Sequence, residues 1–391
     1  MDWGGMAYVL KLYDTPLVEF NMLSEGKDLL VDVLDVNDSS LALLPLDWHV
    51  QESNRDGLRH QVESSLKSWL KHRSIPANRA YVKSFLARLN LAENDIQGIV
   101  DLSHALSLND SYWVDRNDQP NEFDKVNLYD NRFSRAIAHM AFTGTGSYGI
   151  PGYSTSPEFT TNGTYAKCWR RQNGEIYLYK EGSVGAANSG GEPFAEYYAY
   201  DLARTLGIDA VEYAPTKWKG HFCSRCPLFT SKDIGFISVG RLVKSGGIDA
   251  VADYYRHLGP QFQDAFADML MFDALINNTD RHFGNFGVLI DSRSNAIKEP
   301  APLFDHGCSL FYQAMREDFE HLERYATTQA PRTYSDFIGE SKRYLGRQQR
   351  QKLHHALEFR FKKHPRHNWP DWRLRALEGF IHRRASEMLE G

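Results

Sequence analysis

The chain has 391 residues, of which 42% are hydrophobic and 24% are charged. This composition is typical of a globular protein that is long enough for two hydrophobic cores, and it excludes a largely disordered chain. No apolar run approaches the roughly 20 residues that a membrane-spanning helix needs, and the first residues lack the charged-then-apolar pattern of an export signal. We therefore expect a cytoplasmic protein without a membrane partner.

Charge is distributed unevenly along the chain. The 45 Lys and Arg residues against 50 Asp and Glu residues give a net charge of −5, which argues against a protein that binds nucleic acid over its whole surface. Residues 342–391 alone carry 13 basic and 5 acidic side chains. Their apolar residues recur at helical spacing, which favours terminal helices with solvated basic faces over a docking surface for nucleic acid or substrate. We therefore do not expect nucleic acid as the primary partner.

The N-terminal part of the chain alternates strand-like and helical patterns. It contains two strand-like runs, two helical stretches and a further short helix. In chain order these elements are Ala7–Tyr13, Leu29–Val36, Leu58–Lys71, Asn78–Leu91 and a helix within Asn90–Asp110. A polar link begins at Asp115. We therefore predict a small α+β domain over residues 1–115, whose role the pattern does not indicate.

A β-hairpin and a helix follow a turn-rich segment. Residues 143–163 are rich in Gly, Pro, Ser and Thr, which favours turns. The runs Thr164–Arg170 and Glu175–Lys180 are β-rich, and Gln172-Asn173-Gly174 between them is a hairpin signal. A helix with proline near its start then runs to a predicted stop at Gly207. Strands followed by a mostly helical C-terminal part are typical of an α+β protein.

One irregular stretch interrupts the helical C-terminal part. It contains Asp280 and Asn285 before a predicted strand at Phe286–Ile290, and Asp305 after a second predicted strand at Pro302–Phe304. Phosphoryl transfer needs such parts, because a carboxylate must orient the acceptor hydroxyl and oxygen ligands must hold magnesium against the phosphates. The five-residue spacing from Asp280 to Asn285 matches the protein-kinase catalytic loop, and Asp305 opens an Asp-x-Gly sequence. These residues together predict a kinase-type magnesium site.

An upstream lysine and glutamate fit the same kind of site. Lys180 ends the second strand of the predicted hairpin, where its side chain can reach the α- and β-phosphates of a nucleotide. Glu196 lies on the following helix, 16 residues later, where kinase-type sites have a glutamate that pairs with the lysine. The pattern therefore predicts a nucleotide-binding half beside the magnesium-binding half.

Three features of the sequence occur together in one known family. They are the motif Asn278-Thr279-Asp280-x-His282-x-x-Asn285, the motif Phe304-Asp305-x-x-x-Ser309, and Lys180 followed by the glutamate-bearing helix. The chain therefore resembles the HipA-like serine/threonine protein kinases, in particular the short, stand-alone relatives of the HipA toxin kinases. The resemblance implies an α+β chain with a bilobal protein-kinase-like fold. A β-rich N-lobe would cover residues 120–230 and a mostly helical C-lobe residues 231–391, preceded by the small α+β N-terminal domain.

The resemblance also implies a role for each site residue. ATP would be bound by Lys180, Glu196, Leu228 and Phe229, catalysis would rest on Asp280 and His282, and Mg²⁺ would be held by Asn285 and Asp305. In this arrangement Asp280 is the catalytic base and His282 braces its loop. The backbone of Leu228 and Phe229 would meet the adenine ring.

The activity that the resemblance implies is transfer of the γ-phosphoryl group of ATP, with Mg²⁺, to a Ser or Thr of a protein substrate. Members of this family often phosphorylate their own phosphate loop, and Ser156, Thr160 and Thr161 are the local candidates for autophosphorylation. An added dianion there would repel nucleotide. Two alternatives stay open: a lipid or small-molecule kinase with the same magnesium site, and a non-catalytic kinase-like module that regulates a partner through binding.

Overall fold

The computed structural model describes residues 7–25, 28–50, 54–92, 95–146 and 156–390, and the chain divides into two compact units. The first unit comprises Met1–Leu178, Thr230–Ile237 and Leu289–Lys298, and the second comprises Tyr179–Phe229, Ser238–Val288 and Glu299–Gly391. Each unit therefore combines separate stretches of the chain. The predicted division near residues 115 and 230 follows different boundaries and stays a prediction.

An antiparallel sheet of four strands lies at the centre of the first unit. Its strands are β1 (Ala7–Leu12), β2 (Thr15–Glu25), β3 (Asp28–Val36) and β4 (Tyr112–Arg116), in the spatial order β3-β2-β1-β4. Every second side chain of β1 is buried, as expected for a sheet with one face on the core. Helix α1 (Arg55–His72) packs against β3, and the side chain of Asn54 caps its first turn through the amide of Gly57 at 2.8 Å.

Two predictions for the first unit are wrong in detail. Strand β2 was not predicted, although its buried Val18, Phe20 and Met22 alternate with half-buried polar residues. The polar link does not begin at Asp115, because this residue lies within β4 and is 1% exposed. Its carboxylate accepts a hydrogen bond from Lys11 at 2.5 Å, and this pairing with β1 keeps the chain in the sheet.

A second apolar cluster of the first unit is built from short helices. These are α2 (Val82–Arg88), α3 (Ile96–Ser103), α4 (Phe123–Val126) and α5 (Arg135–Thr143), of which α2, α3 and α5 contribute to the cluster. Helix α2 is shorter than predicted because Tyr81 adopts a left-handed φ of 62°, which a helix cannot continue through. The predicted hairpin is present as β5 (Lys167–Gln172) and β6 (Glu175–Glu181), with Asn173 and Gly174 at positive φ in the turn.

The second unit begins in the last residues of β6. Helix α6 (Glu192–Leu206) has Pro193 in its first turn and ends at Gly207 with φ 64°, as the sequence predicted. It packs against the antiparallel strands β7 (Ala214–Trp218) and β8 (His221–Pro227). Strand β8 neighbours β6 in the sheet order, so the end of β6 and helix α6 flank the same strand.

Three further strands, most of whose residues belong to the first unit, lie side by side in the order β11-β10-β9. They are β9 (Ile234–Ser238), β10 (Gly287–Asp291) and β11 (Ile297–Pro300). The strand predicted at Phe286–Ile290 is thus shifted by one residue. The strand predicted at Pro302–Phe304 is wrong, because in this run Leu303 forms an isolated parallel bridge with Ala210 instead of a continuous ladder.

Helices form most of the rest of the second unit. They are α7 (Val239–Leu242), α8 (Gly247–Leu258), α9 (Pro260–Ile276), α10 (Arg316–Glu320), α11 (Leu322–Ala326), α12 (Phe337–Tyr344), α13 (Arg347–Ala356) and α14 (Asp371–Leu389). Helix α9 is central, since its last eight residues are buried and it packs against α8, α12, α13 and α14. Within the described ranges, no helix has the length and apolar composition needed to cross a bilayer.

A buried arginine orders the loop before β5. The guanidinium of Arg79 donates to the carbonyl oxygens of Glu158 at 2.8 Å and Lys167 at 2.7 Å, and its charge is almost fully buried. The amide of Ala80 adds a bond to the carbonyl of Thr164 at 2.8 Å. Because the fork of a guanidinium reaches two acceptors at once, residues 158–167 are held from one side by a single side chain.

We predict that Arg79→Lys lowers the free energy of unfolding of the first unit by about 1–3 kcal/mol, because an ammonium cannot satisfy both carbonyl groups. Chemical denaturation measures the loss, and hydrogen exchange should be faster in residues 158–167. Arg59→Lys is the matched control, since Arg59 forms an exposed pair with Asp32 and should change stability by less than about 0.5 kcal/mol. Equal denaturation midpoints for Arg79→Lys and the parent protein would contradict the role of Arg79.

Candidate functional site

Lys180 lies at the end of β6 and contacts two carboxylates. Its Nζ donates to Glu196 Oε1 at 3.0 Å and to Asp305 Oδ1. The ammonium and the Glu196 carboxylate are both buried, whereas the Asp305 side chain is 37% exposed. The structure therefore brings together the lysine of β6, a glutamate of α6 and an aspartate after β11, which the sequence places far apart.

Burial and charge act in opposite directions on these groups. Burial by itself would lower the pKa of Lys180, but the charges of Asp305 and Glu196 raise it well above its ordinary value. Burial raises the pKa of Glu196, and the nearby ammonium opposes that change. Lys180 is therefore a permanent cation, which is what contact with phosphate oxygens requires.

The turn that begins at Asp305 is fixed from α6 and from Tyr213, the residue before β7. Asp305 has a left-handed φ of 59°, a conformation that aspartate tolerates better than most residues. Its amide donates to the hydroxyl of Tyr213 at 3.0 Å, and the next amide, of His306, donates to Glu196 Oε2 at 2.9 Å. A Cβ at Gly307 would lie 3.3 Å from the Cβ of Glu192, so a larger residue would push the turn away from α6.

The loop with Asp280 is anchored by a fully buried ion pair. Arg281 Nε and Nη2 donate to the two oxygens of Asp273, near the end of α9, at 2.8 and 3.0 Å. Both side chains are completely buried. Asn278 donates to the same carboxylate at 2.9 Å, and its own oxygen accepts the amide of Asp280 at 3.2 Å. The backbone of Asp280 is thus fixed through α9.

Arg281 also joins the two segments that carry the predicted metal ligands. Its Nη1 donates to the carbonyl of Asn285 at 3.0 Å and to the carbonyl of Phe304 at 2.9 Å. The two carbonyl oxygens therefore lie within about 6 Å of each other, the sum of those bond lengths. Since Phe304 immediately precedes Asp305, the segments that carry Asn285 and Asp305 lie next to each other.

A buried histidine completes this junction. Arg281 Nη2 lies 3.2 Å from His306 Nδ1, which accepts a hydrogen bond only if that nitrogen carries no proton. Burial, and then the positive charge of Arg281, keep the pKa of His306 well below its ordinary value. His306 is therefore neutral.

The side chain of Asp280 faces outward from this anchored loop. It is 39% exposed, and its Oδ1 lies 2.5 Å from Nη1 of Arg332. His282, the other predicted catalytic residue, accepts the amide of Gly284 on its Nδ1 at 3.0 Å. Burial lowers the pKa of His282, which favours this neutral, accepting form. This contact is consistent with a bracing role, which stays a prediction.

The donor set of Asn285 and Asp305 fits magnesium. The side-chain nitrogen of Asn285 is buried and has no hydrogen-bond partner among the described residues. A half-turn of the amide would put its oxygen in this position, and an amide oxygen together with a carboxylate is a hard-oxygen set of the kind that Mg²⁺ takes with phosphate and water. Across the described ranges, His, Cys, Asp and Glu form no cluster of three or more that could hold a metal ion by itself.

The remaining predicted site residues lie in two places. Leu228 and Phe229 follow β8 and are half-buried, and the ring of Phe229 lies 5.4 Å from that of Phe304. In the first unit, Ser156 and Thr160 are buried and donate to Glu158 and to the carbonyl of Leu106, respectively. In this conformation neither hydroxyl is accessible as a phosphate acceptor.

Thr161 is the least buried of the three autophosphorylation candidates. Its hydroxyl donates to the carbonyl of Pro157 at 2.6 Å and accepts the indole N–H of Trp169 at 2.9 Å. A phosphate on this oxygen would need both contacts to open.

Sequence reasoning missed Asp273 and Arg332. In α9, the residues on either side of Asp273 are all apolar and buried. A single acidic residue in such a run is a signal for a buried ion pair. Arg332 is 52 residues from Asp280 in an irregular segment, and no local pattern identifies it. Both residues determine how Asp280 is held.

Comparison with known proteins finds similarity to a curated kinase sequence and to solved structures. No protein-family model matches the chain. The serine/threonine-protein kinase CtkA of Helicobacter pylori (strain J99) is 31% identical over 135 residues, which correspond to 31% of this chain and 41% of CtkA. The chain thus matches about two fifths of the length of that relative.

Among solved structures, that of the Helicobacter pylori proinflammatory kinase CtkA covers 59% of this chain and 90% of its own, with 17% identity and a TM-score of 0.48. HipA of Shewanella oneidensis MR-1, solved with HipB and operator DNA as a toxin–antitoxin system, covers 98% of this chain and 99% of its own, with 9% identity and a TM-score of 0.55. The predicted resemblance to the HipA-like kinases is confirmed, and the chain has a HipA-like kinase fold.

Proposed function

We propose that the protein is an ATP- and Mg²⁺-dependent serine/threonine protein kinase of the HipA-like type. The observation that carries the proposal is the junction at Arg281, which ties the loop of Asp280 and Asn285 to the segment of Asp305. Asp305 in turn contacts the ammonium of Lys180. These contacts support a single site that would contain the four polar groups that phosphoryl transfer needs, Lys180, Asp280, Asn285 and Asp305.

Each of the five side chains at the proposed site would have its own role in the reaction. Lys180 would bind phosphate oxygens of ATP, and Glu196 keeps its ammonium in place at 3.0 Å. Asp280 would accept a hydrogen bond from the acceptor hydroxyl and take its proton as the oxygen attacks the γ-phosphorus. Asn285 and Asp305 would hold Mg²⁺, which when bound neutralises charge on the phosphates.

A protein hydroxyl is the acceptor that we propose. The confirmed resemblance is to serine/threonine kinases, and the exposure of Asp280 leaves its carboxylate open to an acceptor from outside the chain. A lipid or small-molecule acceptor would use the same groups, so the acceptor has to be identified by experiment. A non-catalytic module is disfavoured, because all four polar groups are present in the chain. We also propose a cytoplasmic location.

Autophosphorylation of the segment before β5 is part of the proposal. Thr161 is the candidate whose hydroxyl is least buried, and its two hydrogen bonds would have to open first. Intact-mass measurement after incubation with ATP should show an added phosphate in the parent protein and none in Asp280→Ala.

Incubation with γ-labelled ATP and magnesium, with a cell lysate as the source of acceptors, tests the proposed activity. We expect label on Ser or Thr side chains of proteins, and removal of magnesium with a chelator should abolish transfer. Label found in the lipid or small-molecule fraction instead would overturn the choice of acceptor. No transfer to any fraction would overturn the proposed activity itself.

We predict that Asp280→Ala lowers the transfer rate by about 10²–10⁴-fold, because the acceptor hydroxyl loses its base, while the affinity for Mg²⁺ and ATP is largely kept. Asp305→Ala should weaken magnesium-dependent ATP binding by about tenfold or more, since a charged contact is worth at least about 1.5 kcal/mol. Titration of ATP with and without magnesium, followed by rate measurement, separates the two effects.

Asp249→Ala is the matched control for both variants, because Asp249 is an exposed acidic residue of the same unit that pairs with Arg343. It should behave as the parent protein in each assay. Parent-like transfer by Asp280→Ala, or parent-like magnesium dependence in Asp305→Ala, would contradict the role assigned to that residue.

The buried pair gives a prediction about stability and activity together. Arg281→Met leaves the charge of Asp273 unpaired and should lower the free energy of unfolding by about 3–5 kcal/mol. The double variant Asp273→Leu/Arg281→Met removes both charges and should regain part of that stability. It should stay inactive, because Asn285 and Phe304 lose their common donor. A double variant with parental activity would show that the pair serves folding alone.

A further inference from the structure

Arg332 reaches the carboxylate of Asp280 from a distant segment of the same unit. The distance from Arg332 Nη1 to Asp280 Oδ1 is 2.5 Å, and the two side chains are 58% and 39% exposed. The next residue, Thr333, donates its hydroxyl to the carbonyl of Arg281 at 3.1 Å, and the preceding Pro331 is buried. The chain at Arg332 is therefore held to the loop through Thr333, while the guanidinium of Arg332 lies in solvent.

This ion pair is too exposed to serve the stability of the fold. An exposed pair changes an equilibrium by a factor of about five or less, whereas the pair of Asp273 and Arg281 is fully buried. A charge placed on the proposed base without a structural need points to a role in the reaction. The weakness of the pair also means that the guanidinium can leave Asp280 at little cost.

The distances expected between Asp280, the acceptor hydroxyl and the γ-phosphorus would bring the transferred phosphoryl group near Arg332. An acceptor hydroxyl bound to Asp280 lies about 2.7 Å from its carboxylate, and the phosphorus that it attacks lies a further 3–3.5 Å or so away. The phosphoryl group thus passes within about 6 Å of the carboxylate that Arg332 already contacts. A guanidinium has five N–H donors, and one of them reaches Asp280 Oδ1.

We propose that Arg332 is a further catalytic residue, which binds the phosphoryl group while it is transferred to the acceptor. The inference rests on the proposed kinase function. In the transfer, the bond between the acceptor oxygen and the γ-phosphorus forms, and the bond to the β–γ bridging oxygen breaks with its electron pair retained by ADP. The proton of the hydroxyl goes to Asp280. Arg332 exchanges no proton and stabilises the negative charge on the phosphoryl oxygens.

The same contact relieves a repulsion in the product. A phosphorylated serine or threonine would leave a dianion beside the carboxylate of Asp280, and like charges at this distance repel each other. The guanidinium of Arg332 can lie between the two anions. A planar guanidinium binds phosphate through two parallel N–H groups, which an ammonium cannot do.

The test compares Arg332→Ala and Arg332→Lys with the parent protein. We expect Arg332→Ala to lower kcat by about 10²-fold while the KM for ATP changes by less than about threefold, since a donor to the developing charge acts on the transition state. Arg332→Lys should recover part of the rate because it restores the charge without the fork. Arg343→Ala, which removes another exposed and paired arginine, is the matched control.

A second readout does not depend on turnover. Binding of ADP with magnesium and aluminium fluoride, which mimics the transferred phosphoryl group, should be weakened about tenfold or more by Arg332→Ala, while binding of ADP alone is unchanged. This binding assay tests the role of Arg332 even if the parent protein transfers phosphate to no acceptor. The absence of transfer would overturn the proposed function, which is a separate result. Unchanged aluminium fluoride binding would overturn the role of Arg332. A higher kcat for Arg332→Ala than for the parent protein would also overturn the role of Arg332 and would identify the ion pair as an inhibitory contact.

Discussion

Arg281 is fully buried, and a guanidinium removed from water is stable only where carboxylate and carbonyl oxygens replace that water. Asp273 supplies two of these oxygens, and the carbonyl groups of Asn285 and Phe304 supply two more. Because these acceptors come from three segments, satisfying one side chain brings together α9, the loop of Asp280 and the turn of Asp305. The need to solvate a single buried charge therefore determines the geometry of the site.

The two carboxylates at Lys180 differ in what they are free to do. Glu196 is completely buried, and its oxygens accept from Lys180 and from the amide of His306. Asp305 is 37% exposed and sits on a strained backbone that Tyr213 and Arg281 hold in place. Glu196 is thus held within the fold, whereas Asp305 is the carboxylate that we propose exchanges the ammonium for a divalent cation. This difference in burial fits the roles that we propose, Glu196 as a support for Lys180 and Asp305 as a metal ligand.

The sequence identified those features that depend on neighbours along the chain. The ends of α6 at Pro193 and Gly207 and the turn at Asn173 are local, so they were predicted correctly. The strand at Pro302–Phe304 was not, because an apolar run can be buried without a strand partner, and here Leu303 forms a single bridge. The spacing within the motifs identified Lys180, Asp280 and Asp305 as candidate site residues. Asp273 contacts Arg281, 8 residues away in the chain, and Arg332 contacts Asp280, 52 residues away. No sequence motif spans either pair.

Asp280 lies between two arginines whose difference in solvent exposure gives them different roles. Arg281, next to it in the chain, donates hydrogen bonds to Asp273 and to the carbonyl groups of Asn285 and Phe304, and it keeps the backbone of the loop in one position. Arg332 meets the Asp280 side chain in solvent, where water can replace either partner. An orienting carboxylate needs both conditions. Its position must be set before an acceptor arrives, since ordering it during the reaction would raise the barrier. Its oxygen must also be released to the acceptor hydroxyl, which a buried pair would not allow.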